Sequence, residues 1–76
     1  MNEIEINTEM IQLGKFLQIA GVIETGGMAK WFLSEFAVTV NGEEESRRGR
    51  KLTIGDVIEI EEVGTFKVVP EPEELD

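Results

Sequence analysis

Four of the seven basic side chains in this 76-residue chain fall in one five-residue window, Arg47-Arg48-Gly49-Arg50-Lys51. An arginine guanidinium is a planar fork of donors that matches phosphate oxygens and also stacks on bases. Gly49 lets the backbone bend so that neighbouring arginines can face one surface. A plainer reading is a solvated loop whose arginines pair with Glu43, Glu44 and Glu45 just upstream. Composition alone leaves the two in balance. Lys15 and Lys30 shift it towards a phosphate site, because each lies off the apolar stripe of its helix and one turn past the start, positioned to flank the same groove.

Catalytic chemistry finds little to work with. The chain has no histidine, cysteine or tyrosine, which removes the commonest general base, the thiolate nucleophile and the commonest metal ligands. No glycine-rich loop ends in Gly-Lys-Ser/Thr. Glu43-Glu44-Glu45 lacks the spacing of a calcium loop and reads as a solvated edge strand. No catalytic residue, metal or cofactor is therefore expected. Trp31 offers an aromatic face for a base, but its place off the helical stripe, three residues from Met28, reads better as packing against the sheet or the C-terminal hairpin.

The elements that must position these residues follow from periodicity. Glu3-Ile4-Glu5-Ile6 alternates as a half-buried strand does. Leu13, Phe16, Leu17 and Ala20 repeat at one helical face, and Gly21 ends that helix. Thr25 is read as the N-cap of a second helix carrying the stripe Ala29, Phe32, Leu33 and Phe36. Gly26-Gly27 in its first turn reads as a tight helix–helix corner. Ala37 to Val40 alternates into Asn41-Gly42, a strong signal for a type I′ hairpin turn, with residues 43–46 as a polar return strand. Strands over 57–61 and 66–69 follow, separated by turns at 54–56 and 63–65. The order predicts one α+β domain, with two antiparallel helices packed on a small, mostly antiparallel sheet. Its expected bounds are residues 1–69, with 70–76 as an acidic, disordered tail.

The net charge of −9 argues against a nucleic-acid partner, but it is unevenly spread. Residues 1–12 carry −3, residues 13–55 carry +1 and residues 56–76 carry −7. A phosphate responds to the field within a Debye length, roughly 8 Å at physiological salt. A local basic site can therefore act on an acidic protein, with modest and salt-sensitive affinity. No apolar run approaches the roughly 20 residues of a membrane span. The acidic, alternating start is no secretory signal. With no cysteine, this fits a cytoplasmic protein.

Five motifs in order then resemble the S4 domain, an RNA-binding module. They are Leu13-Gly14-Lys15-Phe16-Leu17, Ala29-Lys30, Val38-Thr39-Val40-Asn41-Gly42, the Arg47–Lys51 stretch and Gly55-Asp56-Val57-Ile58, together spanning about 50 of the 76 residues. The closest resemblance is to small stand-alone YaaA-like S4 proteins of Gram-positive bacteria, through the Glu-Ile-x-Ile start, Gly-x-Ala-Lys-x-Phe-Leu and Arg-Arg-Gly-Arg-Lys-Leu. The resemblance implies a non-catalytic protein of ribosome assembly or translation. Its ligand would be structured RNA, expected to be ribosomal, bound on the two-helix face and the loop after the first hairpin. Lys15, Lys30, Asn41, Arg47, Arg48, Arg50 and Lys51 are the residues expected to touch it. The chain departs from the family pattern at three places: Gly14 replaces an acidic residue, Gln12 stands where many members have arginine, and Gly26-Gly27 replaces a Ser/Arg-type helix start.

Reversing Arg47, Arg48 and Arg50 to glutamate is expected to abolish RNA binding and leave the fold intact. A competing reading makes the 57–69 hairpin and acidic tail a module that docks on a basic, ribosome-associated protein. A third, a ubiquitin-like sulfur carrier, is disfavoured by the ending Glu74-Leu75-Asp76, which lacks the required Gly-Gly.

Overall fold

The stripe of Leu13, Phe16 and Leu17 forms helix α1, Leu13–Ile19, with all three side chains fully buried. Its C-terminus closes as a Schellman motif, with Val22 N–H donating to Leu17 O at 3.0 Å and Gly21 N–H to Gln18 O at 3.1 Å. Ile23 in the connector is buried as well. The computed structural model describes residues 1–72.

The second helix, α2, is Ala29–Glu35, preceded by a single 3-10 turn over Gly26–Met28. Thr25 does not cap with its hydroxyl. Its carbonyl accepts the Met28 N–H at 3.1 Å instead, so the glycine pair winds into the tighter helix before a side-chain cap is needed. Ala29, Phe32 and Leu33 are buried, and Phe36 stacks on Phe32 with ring centroids 4.6 Å apart. Trp31, expected to pack against the sheet or the C-terminal hairpin, is 54% exposed, with Phe32 and Phe36 as edge-on aromatic neighbours at 6.5 and 6.3 Å. Its aromatic neighbours are thus at i+1 and i+5, because α2 turns its other face to the sheet.

Five strands, β1 (Asn2–Ile6), β3 (Val38–Val40), β4 (Glu43–Glu44), β6 (Val57–Ile60) and β7 (Gly64–Pro70), form one sheet in the order β1-β7-β6-β3-β4. Only β1 and β7 pair in parallel; the other pairs are antiparallel. The helices cover the face lined by Ile6, Val38, Val40, Ile58, Ile60, Phe66 and Val68. Phe16 meets Phe66 edge-on at 6.1 Å. Burying a side chain of this size stabilises by about 1.5–3 kcal/mol. The α+β architecture is the one expected.

A two-stranded antiparallel ribbon was not anticipated. It joins β2, Met10–Gln12, to β5, Lys51–Thr53. Each strand has three residues, too short for alternation to show. Leu52, between two exposed neighbours, is fully buried and ties the ribbon to the core. At the C-terminal side, β7 runs through Pro70, and Glu71 N–H donates to Ile6 O at 2.9 Å. Residues 73–76 of the expected acidic tail lie outside the described residues.

Candidate nucleic-acid interface

The basic stretch lies between two anchors, the β3–β4 hairpin before it and the β2–β5 ribbon after it. The hairpin is set by Asn41 (φ 53°) and Gly42 (φ 84°), the two left-handed residues that a type I′ turn requires. Asn41 Nδ2 donates to Asp56 Oδ1 at 3.0 Å, and its Oδ1 accepts Val57 N–H at 2.9 Å. Asp56 Oδ2 accepts Thr53 N–H at 2.8 Å. These bonds bolt the hairpin turn to the turn between β5 and β6.

Within the loop, the backbone binds the start of α1. Leu13 N–H donates to Arg50 O at 2.7 Å and Gly14 N–H to Arg48 O at 2.9 Å. A helix leaves its first four N–H groups without intrahelical partners. Here the basic loop satisfies two of them, so no side-chain cap is present on Gln12. A Cβ on Gly14 would stand 3.3 Å from Ala29 Cβ and 3.4 Å from both Arg48 Cβ and Arg48 O. The departure from an acidic residue at this position thus has a steric reason: glycine lets α1, α2 and the loop meet.

Glu45 organises the loop's side chains. It is the buried charged residue among those described, at 7% exposure. Arg47 holds it through Nε to Oε2 at 3.0 Å and Nη2 to Oε1 at 3.1 Å. Arg50 Nη1 reaches Oε1 at 3.0 Å. The N–H groups of Ser46 and Arg47 both donate to Oε2 at 3.1 Å. The paired hydrogen bonds from Arg47, helped by Arg50 and opposed by burial, lower the Glu45 pKa from 4.5 to about 2. Arg47 in turn is raised above its ordinary value by the same carboxylate. Glu43 and Glu44 remain exposed on β4 and form no ion pair among the described residues.

Of the seven residues expected at the site, Lys15 and Arg48 line one groove of about 480 Å³, together with Gln12, Gly14, Gln18, Gly26, Ala29 and Gly49. Arg47, Arg50 and Lys51 line an adjoining depression that shares Gly49. Lys30 is exposed on α2 beside the groove-lining Ala29 but does not itself line the groove. Asn41 lines neither, and both ends of its amide are engaged in the turn. Arg47 and Arg50 act partly as counter-ions to Glu45, so reversing them to glutamate would also attack the fold. In the sequence Glu43, Glu44 and Glu45 are equivalent; only the position of Glu45 after the end of β4 turns it inward. Gln12 and Gln18 were missed as groove residues because polar side chains flanking a stripe carry no signal of their own.

The groove, the Glu45 clasp and the bonds to α1 involve the same motifs that resembled an RNA-binding module. Residues 4–69 match the family model described as S4 domain. The chain is also similar to the "Probable ribosome maturation protein RlbA" of Bacillus subtilis (strain 168), being 65% identical over 68 residues that cover 90% of this chain and 96% of that protein. With the expected α+β architecture in place and the family model matching nearly its whole length, the chain belongs to the S4 domain family.

Proposed function

We propose that this protein is a non-catalytic RNA-binding protein that contacts structured ribosomal RNA and acts in ribosome maturation. The observation that carries this reading is the convergence of Lys15 and Arg48 on one groove, joined by backbone bonds from α1 to the basic loop. Lys51 and the outer N–H groups of Arg47 extend the cationic surface, and Lys30 adds to it from α2. Arg50 and Asn41 position the loop and its hairpin. The ribosomal part rests on the name of the Bacillus relative, a probable ribosome maturation protein. Phosphate contacts of this kind position an RNA backbone without reading its sequence.

The deciding measurement is fluorescence anisotropy on ribosomal RNA fragments. Lys15→Glu and Arg48→Glu should each weaken binding at least tenfold, with the circular dichroism spectrum unchanged. Retained affinity in both would sink the proposal. A second reading, docking on a basic protein, is favoured by the sheet face opposite the helices, where Glu3, Glu5, Glu44 and Glu59 are exposed around Lys67. A pull-down of a basic protein that survives nuclease treatment and is lost on Glu5→Lys/Glu59→Lys substitution would support it.

A further inference from the structure

Beside the basic groove lies a second, more apolar one, of about 700 Å³, which includes Met10, Ile11 and Ile19. Met10 is 45% and Ile19 48% exposed, so both present hydrophobic surface that the fold itself leaves uncovered. The two grooves adjoin, since Gln12 and Lys15 line both. Lys15 and Ile19 are four residues apart on α1 and thus neighbours on one helix face. Glu71, just past the end of β7, also lines the apolar groove. Among the described residues, its carboxylate takes part in no ion pair.

We infer that this groove receives an unstacked, amino-bearing base of the RNA whose phosphates lie on Lys15 and Arg48. The inference rests on the RNA-binding reading above and adds a base-specific subsite to it. The groove's chemistry is that of a nucleotide. A cation is shared with the phosphate site, aliphatic and thioether surface is there for the base faces, and the Glu71 carboxylate completes the lining. A carboxylate accepts hydrogen bonds only, so it suits the ring N–H and exocyclic amino group of guanine and offers less to uracil. Bases splayed from bulges and loops are the parts of folded RNA open to such readout. The shared Lys15 at the border with the cationic groove favours this occupant over an apolar peptide.

The test uses three RNA hairpins of one sequence: fully paired, with one bulged guanine, and with one bulged uracil. The whole chain should bind the guanine bulge about tenfold tighter than the paired hairpin, the lower part of the range for one stacked base, with the uracil bulge between them. Met10→Ala and Ile19→Ala remove exposed side chains and should erase that preference while leaving the paired hairpin's affinity unchanged. Equal affinity for all three hairpins, or a preference that survives both substitutions, overturns the inference. Arg48→Glu is the control on the parent reading: it should weaken all three. If it weakens all three and no bulge preference exists, the subsite fails alone; if it weakens none, the RNA-binding reading fails with it.

Discussion

At the scale of single residues, Glu45 decides how the basic stretch is presented. Two of the four cations in residues 47–51 are drawn to one buried carboxylate, and the remaining two, Arg48 and Lys51, are free of ion pairs among the described residues. Glu45→Gln keeps the shape but loses the charge-assisted bonds, each of the kind that contributes about 1.5–3 kcal/mol. We expect a loss of about 2 kcal/mol in urea unfolding at neutral pH. The sign of the pH dependence follows from the lowered pKa. The ionised carboxylate contributes fully above pH 4.5, and the contribution fades as pH falls towards about 2. The stability gap between the wild type and Glu45→Gln should therefore narrow over that acid range and stay constant above it. A gap that does not change with pH would show that Glu45 is not ionised in the fold. Arg50→Ala, which removes one partner of the buried carboxylate, should destabilise more than Arg48→Ala.

Among the elements, the contact of α1 with the loop is the one that builds the groove. Ala would favour the helix at position 14 by about 1 kcal/mol over Gly. Overpacking costs about 1–3 kcal/mol, and here Arg48 O cannot retreat without losing its bond from Gly14 N–H. Gly14→Ala should thus be net destabilising, by about 1 kcal/mol, and should weaken RNA binding by displacing Arg48. A thermal melt and an anisotropy titration check the two effects; a stabilised variant would mean that the loop yields freely. The hairpin turn offers a contrast. Asn41→Ala loses two hydrogen bonds and places alanine at positive φ, for about 2 kcal/mol of lost stability. Its affinity for RNA should be unchanged below the melting temperature, because both ends of the Asn41 amide are engaged in the turn. A selective loss of affinity would restore it to the contact set.

For the whole molecule, the distribution of charge matters more than its sum. The cations other than Lys67 lie on the helices or in the basic stretch, and the sheet face opposite the helices carries Glu3, Glu5, Glu44 and Glu59. On the RNA-binding reading proposed above, that arrangement would confine a phosphate ligand to one face and limit long-range attraction. If about four phosphates are neutralised, affinity should fall roughly hundredfold between 50 and 200 mM salt. Lys15→Gln should lower the log–log slope by about one. A slope unaffected by Lys15→Gln would place that residue off the RNA. No helix among the described residues is long and apolar enough to cross a membrane.

Much of this was legible in the chain itself. The stripe of Leu13, Phe16 and Leu17, the Asn41-Gly42 turn and the alternation of Val57–Ile60 are local patterns. Period and turn chemistry are properties of neighbouring residues, so helices, hairpins and fold class follow from them. The concentration of cations at 47–51 is local as well. What only the tertiary structure decided depends on residues distant along the chain. The β2–β5 ribbon joins three-residue strands about 40 positions apart, and neither is long enough to announce itself. The inward turn of Glu45, rather than Glu43 or Glu44, depends on where β4 ends against β3. The role of Gly14 depends on Ala29 and Arg48 arriving on either side of it. Thus the sequence determined that a basic loop exists, while packing decided that Arg48 and Lys15 share a groove and that Arg47 and Arg50 first hold the fold together.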